Sequence, residues 1–402
     1  MNAPASVLVV GASAGGLAVA EALRREGYAG KLTLLGAERH LPYDRPPLSK
    51  KVLSGAWEAD KARLRSEAEL AKLDAELVLG DAAVHLDAAA REVTTASGRS
   101  LRAEVIVLAT GLEPRRLPSQ EGLSGVHVLR TVDETLALRA DLLAGPRVVV
   151  VGDGVLGTEI AATARGMGLT VTVVGPQPAP MASQLGPVVG GYLARLHADH
   201  GVELRLGVAV SDLVGEGGRV RGVRLASGEV LPADVVVVAI GSRPAIGWLE
   251  GSGLRLADGI VCDSRCQAAE GVYAVGDVAF WHHEGLGTGL RLENRTNAVE
   301  QGMTVAANIL GKDRPYTPVP YFWTDQFDAK IQVFGFLPSD AEVAIVEGDP
   351  ARRQFVALYG SRGKVKGVLG WNMVKQTRQH RQHVVDGTAW TDAVGKAILV
   401  PR

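Results

Sequence analysis

Two stretches of this chain follow one plan, and that duplication restricts the possible folds more than any other feature. Val7-Leu8-Val9-Val10 runs into Gly11, and Val148-Val149-Val150-Val151 runs into Gly152. Helical character follows in each copy, over Leu17 to Arg25 and Leu156 to Arg165, and then a second apolar run, Lys31 to Leu35 and Leu169 to Val174. Each copy closes on a further run that ends at glycine: Ile106-Val107-Leu108-Ala109-Thr110-Gly111 and Val236-Val237-Val238-Ala239-Ile240-Gly241. Short, wholly apolar runs joined by amphipathic segments are the mark of buried parallel strands with crossover helices. Matched order, glycines and spacing make this a repeated βαβ unit, so an α/β protein with two Rossmann-like domains is expected.

A chain of 402 residues is too long for one ordinary core, which agrees with two or three domains. Beyond about Thr317 the texture changes to strand-like runs such as Lys330 to Phe336 and Phe355 to Tyr359, the expected mark of a small C-terminal α+β domain. Basic and acidic residues number 43 and 44, a balance that argues against nucleic acid as the main partner. The uncharged stretch Gly166 to Ala194 is broken by Pro176, Pro178, Pro180 and Pro187, which argues against a membrane helix. The start, Met-Asn-Ala-Pro-Ala-Ser, has no basic region before its first strand, so no export signal is read and a cytoplasmic protein is expected. Cys262 and Cys266 are the two cysteines, too few for a disulfide framework or a cysteine-rich zinc site, and no metal centre is expected.

A glycine turn between strand and helix lets backbone N–H groups and the helix dipole approach a pyrophosphate. The second copy carries the full spacing, Gly152, Gly154 and Gly157. The first reads Gly11-Ala12-Ser13-Ala14-Gly15-Gly16, with Ser13 in the place of the middle glycine. An acidic residue beyond the second strand ordinarily accepts hydrogen bonds from an adenosine ribose. Glu38 supplies it in the first copy; the second has Gly175-Pro176-Gln177, neither an acid for NADH nor an adjacent arginine for the 2′-phosphate of NADPH. The choice between NADH and NADPH stays open, with NADH favoured because no basic residue stands where a phosphate would need one.

Pro42-Tyr43-Asp44-Arg45-Pro46-Pro47-Leu48-Ser49-Lys50 resembles the signature of the FAD-dependent ferredoxin reductases that serve Rieske-type dioxygenases and haem-thiolate monooxygenases. Gly271-Val272-Tyr273-Ala274-Val275-Gly276-Asp277, the run Arg291 to Arg295 with Gln301, and Tyr321 to Gln326 resemble further elements of that family, so the likeness spans nearly the whole chain. It implies a glutathione-reductase-type architecture: an FAD domain over 1–113 and 239–316, an NAD(P) domain over 114–238, and a C-terminal interface domain over 317–402. It also implies cofactor contacts at Gly11, Ala14, Gly16, Glu38, Arg45, Lys50, Ala83, Arg130, Asp277, Glu293 and Arg295 around FAD. Gly152, Gly154, Gly157 and Glu159 would serve the nicotinamide dinucleotide. The departures from the family pattern are Ser13, Gly175 and the tail from Trp371 to Arg402.

Hydride transfer needs two rings stacked in near contact, and positioning supplies much of the rate. Lys50 and Glu159 are expected beside the flavin, where a cation stabilises developing negative charge. Glu159 reads equally well as an ordinary first-turn acid. A lone tryptophan such as Trp323 is more often a core side chain, and the resemblance is what makes it the candidate shelf over the nicotinamide. With no cysteine near Arg45 to Lys50, electrons have no thiol relay and leave the flavin directly, which suits a small one-electron ferredoxin as partner; the resemblance also implies a monomeric enzyme. Two other readings compete: an oxidase or small-molecule reductase on the same scaffold, and a flavin-bound redox sensor. From Arg352 to Arg381 the chain holds eight basic residues and no acid. That stretch either borders a docking surface for an acidic carrier or is scattered by strand alternation over several faces.

Overall fold

Valine-rich strands with no polar side chain cannot face water on either side, and each glycine-terminated run becomes the centre of a parallel sheet. The computed structural model describes residues 3–395 and the backbone of Ile398–Val400. Met1, Asn2, Lys396, Ala397, Pro401 and Arg402, parts of the chain start and of the tail singled out above, lie outside the described residues. The chain divides into two compact units, the first comprising Met1–Asp44, Asp60–Glu113 and Ser242–Pro318, the second Arg45–Ala59, Pro114–Gly241 and Val319–Arg402.

In the first unit Ser6–Val10 lies between Lys31–Gly36 and Val105–Leu108, parallel to both. Glu76–Leu79 extends one side, Val272–Ala274 the other, and Gln267–Ala269 closes that edge antiparallel. Helix Ala14–Arg25 follows the first glycine and buries Leu17, Val19 and Leu23, while helix Arg295–Ile309 lies against it through Gly302. One core runs through the sheet and these helices, with Leu8, Leu34, Val107 and Trp281 fully inside.

The second unit repeats the arrangement. Arg147–Val151 lies between Thr170–Gly175 and Val235–Val238, with Glu203–Leu206 and Val126–His127 at the edges, all parallel. Helix Val155–Gly166 takes the place of Ala14–Arg25. The expected strands and helices of both copies are all present, with ends within a few residues of their expected bounds. The C-terminal residues form a six-stranded antiparallel sheet, in the order Tyr321–Gln326, Ala329–Gly335, Lys364–Trp371, Gln354–Ser361, Glu342–Asp349 and Ile398–Val400. Its inner face packs on helix Ala182–Asp199, where Leu185, Val189, Leu193 and Leu196 meet Ile331, Phe355, Leu369 and Trp371. Tyr359 ties the two together, its hydroxyl donating to the Leu185 carbonyl at 2.6 Å.

Candidate functional site

The first glycine loop is built by close approach. Gly11 sits at φ +119°, and a Cβ there would lie 2.2 Å from the Ala109 carbonyl oxygen. A Cβ on Gly16 would lie 1.9 Å from the carbonyl oxygen of Gly11, so strand and helix meet backbone to backbone. The loop 11–14 is partly exposed, and Ser13 begins the helix without capping it through its side chain, leaving first-turn amides to face a ligand. The half-buried Glu38 beyond the second strand accepts a hydrogen bond from the Tyr43 hydroxyl. Gly80 and Asp81 donate backbone hydrogen bonds to the carbonyls of Glu38 and Gly36, which brings Ala83 along the neighbouring chain. Gly276, at φ +74°, donates to Gln301 at 2.7 Å and sets the turn that presents Asp277. Arg295 donates to Asp44 at 2.9 Å, and Glu293 accepts from Arg291 at 2.7 Å. A tight glycine turn, open first-turn amides and an acid beyond the second strand make a frame whose chemistry fits a dinucleotide such as FAD.

The second loop repeats that frame. Gly152 has φ +124°, a Cβ on it would lie 2.1 Å from the Ala239 carbonyl oxygen, and one on Gly157 2.1 Å from the Gly152 carbonyl oxygen. Gly154 begins the helix, and a Cβ there would meet nothing within 4 Å. The strand end differs. Asp153, only 3% exposed, accepts from the Gln177 backbone N–H at 2.8 Å and from its side-chain amide at 2.7 Å. A Cβ on Gly175 would lie 2.2 Å from the Asp153 Cγ. Sequence reasoning passed over this aspartate, because the spacing rule looks for the acid at the strand end and not inside the glycine loop.

A third cluster lies within the second unit. Lys50 Nζ donates to Glu159 Oε2 at 2.5 Å, and Ser49 Oγ donates to the same oxygen at 2.6 Å. Thr324 Oγ1 donates to the other carboxylate oxygen at 2.7 Å. Glu159, 6% exposed, is satisfied from three directions and stands beyond the first turn of helix Val155–Gly166, unlike an ordinary first-turn acid. The helical turn Leu48–Val52 delivers Ser49 and Lys50, and Thr163 donates to the Ser49 carbonyl at 2.7 Å, which holds the turn to the helix bearing Glu159. Beyond Thr324 the hydrogen bonds continue: Gln326 donates to Thr324 at 3.1 Å, and His197 donates to Gln326 at 2.8 Å. Burial pushes the His197 imidazole down to about 4, against the pull of that hydrogen bond, so the ring is neutral. Strand alternation sends Thr324 and Gln326 inward while Trp323 and Tyr321 share the other face, stacked at 6.3 Å. Ser49 and Thr324 were not foreseen; only their neighbours Lys50 and Trp323 carried a signal. Arg45 donates to the Arg130 carbonyl at 2.5 Å, and the Arg130 backbone N–H donates to Glu134 at 2.8 Å.

The site residues thus fall into two sets. Gly11, Ala14, Gly16, Glu38, Ala83, Asp277, Glu293 and Arg295 belong to the first unit; Arg45, Lys50, Arg130, Gly152, Gly154, Gly157, Glu159 and Trp323 belong to the second. Both cysteines are buried, and burial holds the Cys266 thiol up at about 12 and Cys262 well above its ordinary range. Neither is a thiolate at neutral pH. The basic stretch does not form one face: Arg352 and Arg353 stand at one end of the hairpin Gln354–Ser361 and Lys364–Trp371, Arg362 and Lys364 at the other.

Two dinucleotide-type loops without an exposed thiol define a flavin-dependent pyridine-nucleotide oxidoreductase. Residues 5–302 match the family described as pyridine nucleotide-disulphide oxidoreductase, residues 321–395 match the reductase C-terminal family, and the chain belongs to this group of reductases. It is 38% identical over 345 residues to the ferredoxin–NAD(+) reductase component of the p-cumate 2,3-dioxygenase system of Pseudomonas putida, covering 85% of this chain and 84% of that one. Among solved structures, the ferredoxin reductase for the CYP199A2 system of Rhodopseudomonas palustris superposes with a TM-score of 0.93 at 34% identity, covering 98% of both chains. The reductase of the covalent putidaredoxin reductase–putidaredoxin complex gives 0.92 at 30% identity, over 98% of this chain and 97% of that one.

Proposed function

We propose that this enzyme takes electrons from NADH, holds FAD as its redox group, and delivers them to a small iron–sulfur ferredoxin that feeds a haem-thiolate monooxygenase or a Rieske-type oxygenase. The observation that carries this reading is the buried Lys50–Glu159 pair, joined to Ser49 and Thr324, in a chain whose two thiols are buried and protonated. FAD, when bound, accepts a hydride from the nicotinamide and releases electrons one at a time. Gly11, Ala14 and Gly16 would receive its pyrophosphate, Glu38 its adenosine ribose, and Asp277 its ribityl chain, with Ala83, Arg45, Arg130, Glu293 and Arg295 completing the contacts. Gly152, Gly154 and Gly157 would receive the pyrophosphate of the nicotinamide dinucleotide.

Lys50 would supply the positive charge that developing negative charge needs, and Glu159 fixes where that ammonium points. Trp323 would cover the nicotinamide and keep water away. The domain division follows the same reading: an FAD domain over 1–113 and 239–316, an NAD(P) domain over 114–238 and an interface domain over 317–402. The reading includes a monomeric cytoplasmic enzyme with neither nucleic acid nor membrane as a partner. A net charge of −1 gives no general attraction for polyanions, and among the described residues no helix is long and apolar enough to cross a membrane.

The test is anaerobic titration of the yellow holoenzyme with NADH, followed by comparison of ferredoxin and dioxygen as acceptors. Rapid bleaching, fast ferredoxin reduction and slow oxygen consumption are expected. Fast turnover with dioxygen or a quinone alone would replace this reading with that of an oxidase or small-molecule reductase.

A further inference from the structure

From the geometry of the second glycine loop we infer that Asp153 selects NADH over NADPH, by placing a carboxylate inside the protein where the 2′-phosphate of NADPH would have to bind. The inference rests on the reading that this loop holds the nicotinamide dinucleotide.

Matching backbone hydrogen bonds set the correspondence between the two copies here. Gly11 donates to Leu35 at 2.7 Å and Gly152 to Val174 at 2.8 Å, so Ala12 corresponds to Asp153, Gly36 to Gly175, and Glu38 to Gln177. In the first copy the Ala12 methyl lies 3.0 Å from where a Gly36 Cβ would stand, and the acid reaches the ribose region from position 38. In the second the acid comes from inside the loop. Its carboxylate lies in the volume that a side chain at 175 would fill, 2.2 Å from the Cβ position, and glycine at 175 is what makes room for it. Gly36 and Gly175 are glycine in both copies, and what changes is the pair around them: Glu38 gives way to Gln177, and a loop acid, Asp153, stands where the first copy has Ala12.

Phosphate binding at the end of a second strand needs free N–H donors and a nearby cation. Asp153 removes the first. The Gln177 backbone N–H, on the loop that leaves the strand, is taken by Asp153 Oδ2 at 2.8 Å, and the Gln177 side-chain amide by Oδ1 at 2.7 Å. The run Gly175-Pro176-Gln177-Pro178 offers no cation, and its two prolines have no N–H to give. Gln177 is itself held, its side-chain oxygen accepting from Ser183 N–H at 2.6 Å. An incoming 2′-phosphate would meet a carboxylate and an occupied donor, repulsion added to lost binding. A 2′-hydroxyl carries no charge to repel, and a carboxylate has acceptor sites beyond the two used by Gln177.

The experiment measures flavin reduction by NADH and NADPH in the holoenzyme of the wild type and of Asp153→Asn. The asparagine keeps the volume and an oxygen for the Gln177 N–H while removing the charge. Wild type is expected to prefer NADH by about a hundredfold in kcat/KM, and the variant to lose at least about tenfold of that preference, mostly by gaining NADPH activity. An unchanged ratio, or a wild type that uses both donors equally, would overturn the inference.

A measurement on unaltered protein guards against a variant that fails to fold. 5′-AMP should compete with NADH, and adenosine 2′,5′-bisphosphate should compete at least about tenfold less well; equal inhibition would also overturn it. Gly154→Asp separates this inference from the reading beneath it, since a side chain there meets nothing within 4 Å and the fold should survive. Loss of flavin reduction by NADH in that variant supports the loop as the dinucleotide site. Flavin reduction by NADH that persists would remove both the loop assignment and the role of Asp153.

Discussion

The two βαβ copies keep the same backbone and differ in what they attach to it. Gly11 and Gly152 adopt φ of +119° and +124°, and the residues they would strike, Ala109 and Ala239, stand at equivalent places at the end of the third strand. Gly16 and Gly157 press on the preceding glycine carbonyl in the same way. The closest of these contacts are to main chain, so they survive most divergence of the side chains around them. The side chains do diverge: Ala12 and Glu38 in one copy become Asp153 and Gln177 in the other. A duplicated fold thus separates two tasks. On the proposed reading, main chain and glycine set the place of a pyrophosphate, while two or three side chains at the strand end decide which nucleotide is accepted.

The strongest way to break this comparison is to strike the same glycine in each copy. Gly11→Ala and Gly152→Ala each force a Cβ onto a carbonyl oxygen at a φ that L-residues avoid, at a cost of about 3–5 kcal/mol apiece. The functional consequences should part. Gly11→Ala is expected to purify without flavin colour, whereas Gly152→Ala should keep its flavin and lose reduction by NADH. Absorbance at purification and anaerobic NADH titration check both. A colourless Gly152→Ala beside a yellow Gly11→Ala would reverse the assignment of the two loops.

The parts legible in sequence were those where physics acts locally. All-apolar runs identified the three central strands of each parallel sheet but not the flanking strands Glu76–Leu79, Glu203–Leu206 and Val126–His127, and the glycine spacing located both turns, because burial and close approach admit few residue types. Glu38 was legible as an acid two residues beyond its own strand, which is where the local spacing rule looks. Asp153 was not, since an acid inside a glycine loop acquires meaning only when Gly175 is seen to leave room for it. Ser49 and Thr324 reach Glu159 across 110 and 165 residues of sequence, and no local pattern encodes a partner at such a distance. The basic stretch from Arg352 looked continuous in one dimension, and a hairpin carried its charges to opposite ends.

A second difference between the copies sharpens with pH. Only the second copy is followed by helix Ala182–Asp199, which carries the buried His197. Its imidazole is held down at about 4 in the folded protein, against about 6.5 in the unfolded chain. Between those values the unfolded chain binds a proton that the folded one refuses, so stability falls as pH drops from about 6.5 to about 4 and this contribution levels off below. The loss amounts to about 3 kcal/mol at most. Urea denaturation of wild type and His197→Gln at pH 7 and pH 4.5 measures it. The glutamine variant should show a shallower acid loss; parallel loss in both proteins would place the acid sensitivity elsewhere.

The smallest expected effect lies at the start of each central strand, where the copies solve one problem with different charges. In the first, Glu104 accepts from the Ala5 backbone N–H at 2.7 Å, and its own N–H donates to Ser6 Oγ at 3.0 Å. In the second, Asp234 accepts from the Arg147 backbone N–H at 3.0 Å and from two guanidinium nitrogens at 2.9 Å each. The guanidinium holds the Asp234 carboxyl well below the usual carboxylate range. The pair is nonetheless exposed to water, and such pairs contribute about 0–1 kcal/mol because water and salt screen them. Asp234→Asn should therefore cost about 0.5 kcal/mol at low salt and less at 1 M salt, while Glu104→Gln should show little salt dependence. Denaturation midpoints at two ionic strengths compare them. A large, salt-insensitive loss at Asp234 would mean that the backbone hydrogen bond and not the charge anchors the strand, and that the two copies are alike here after all.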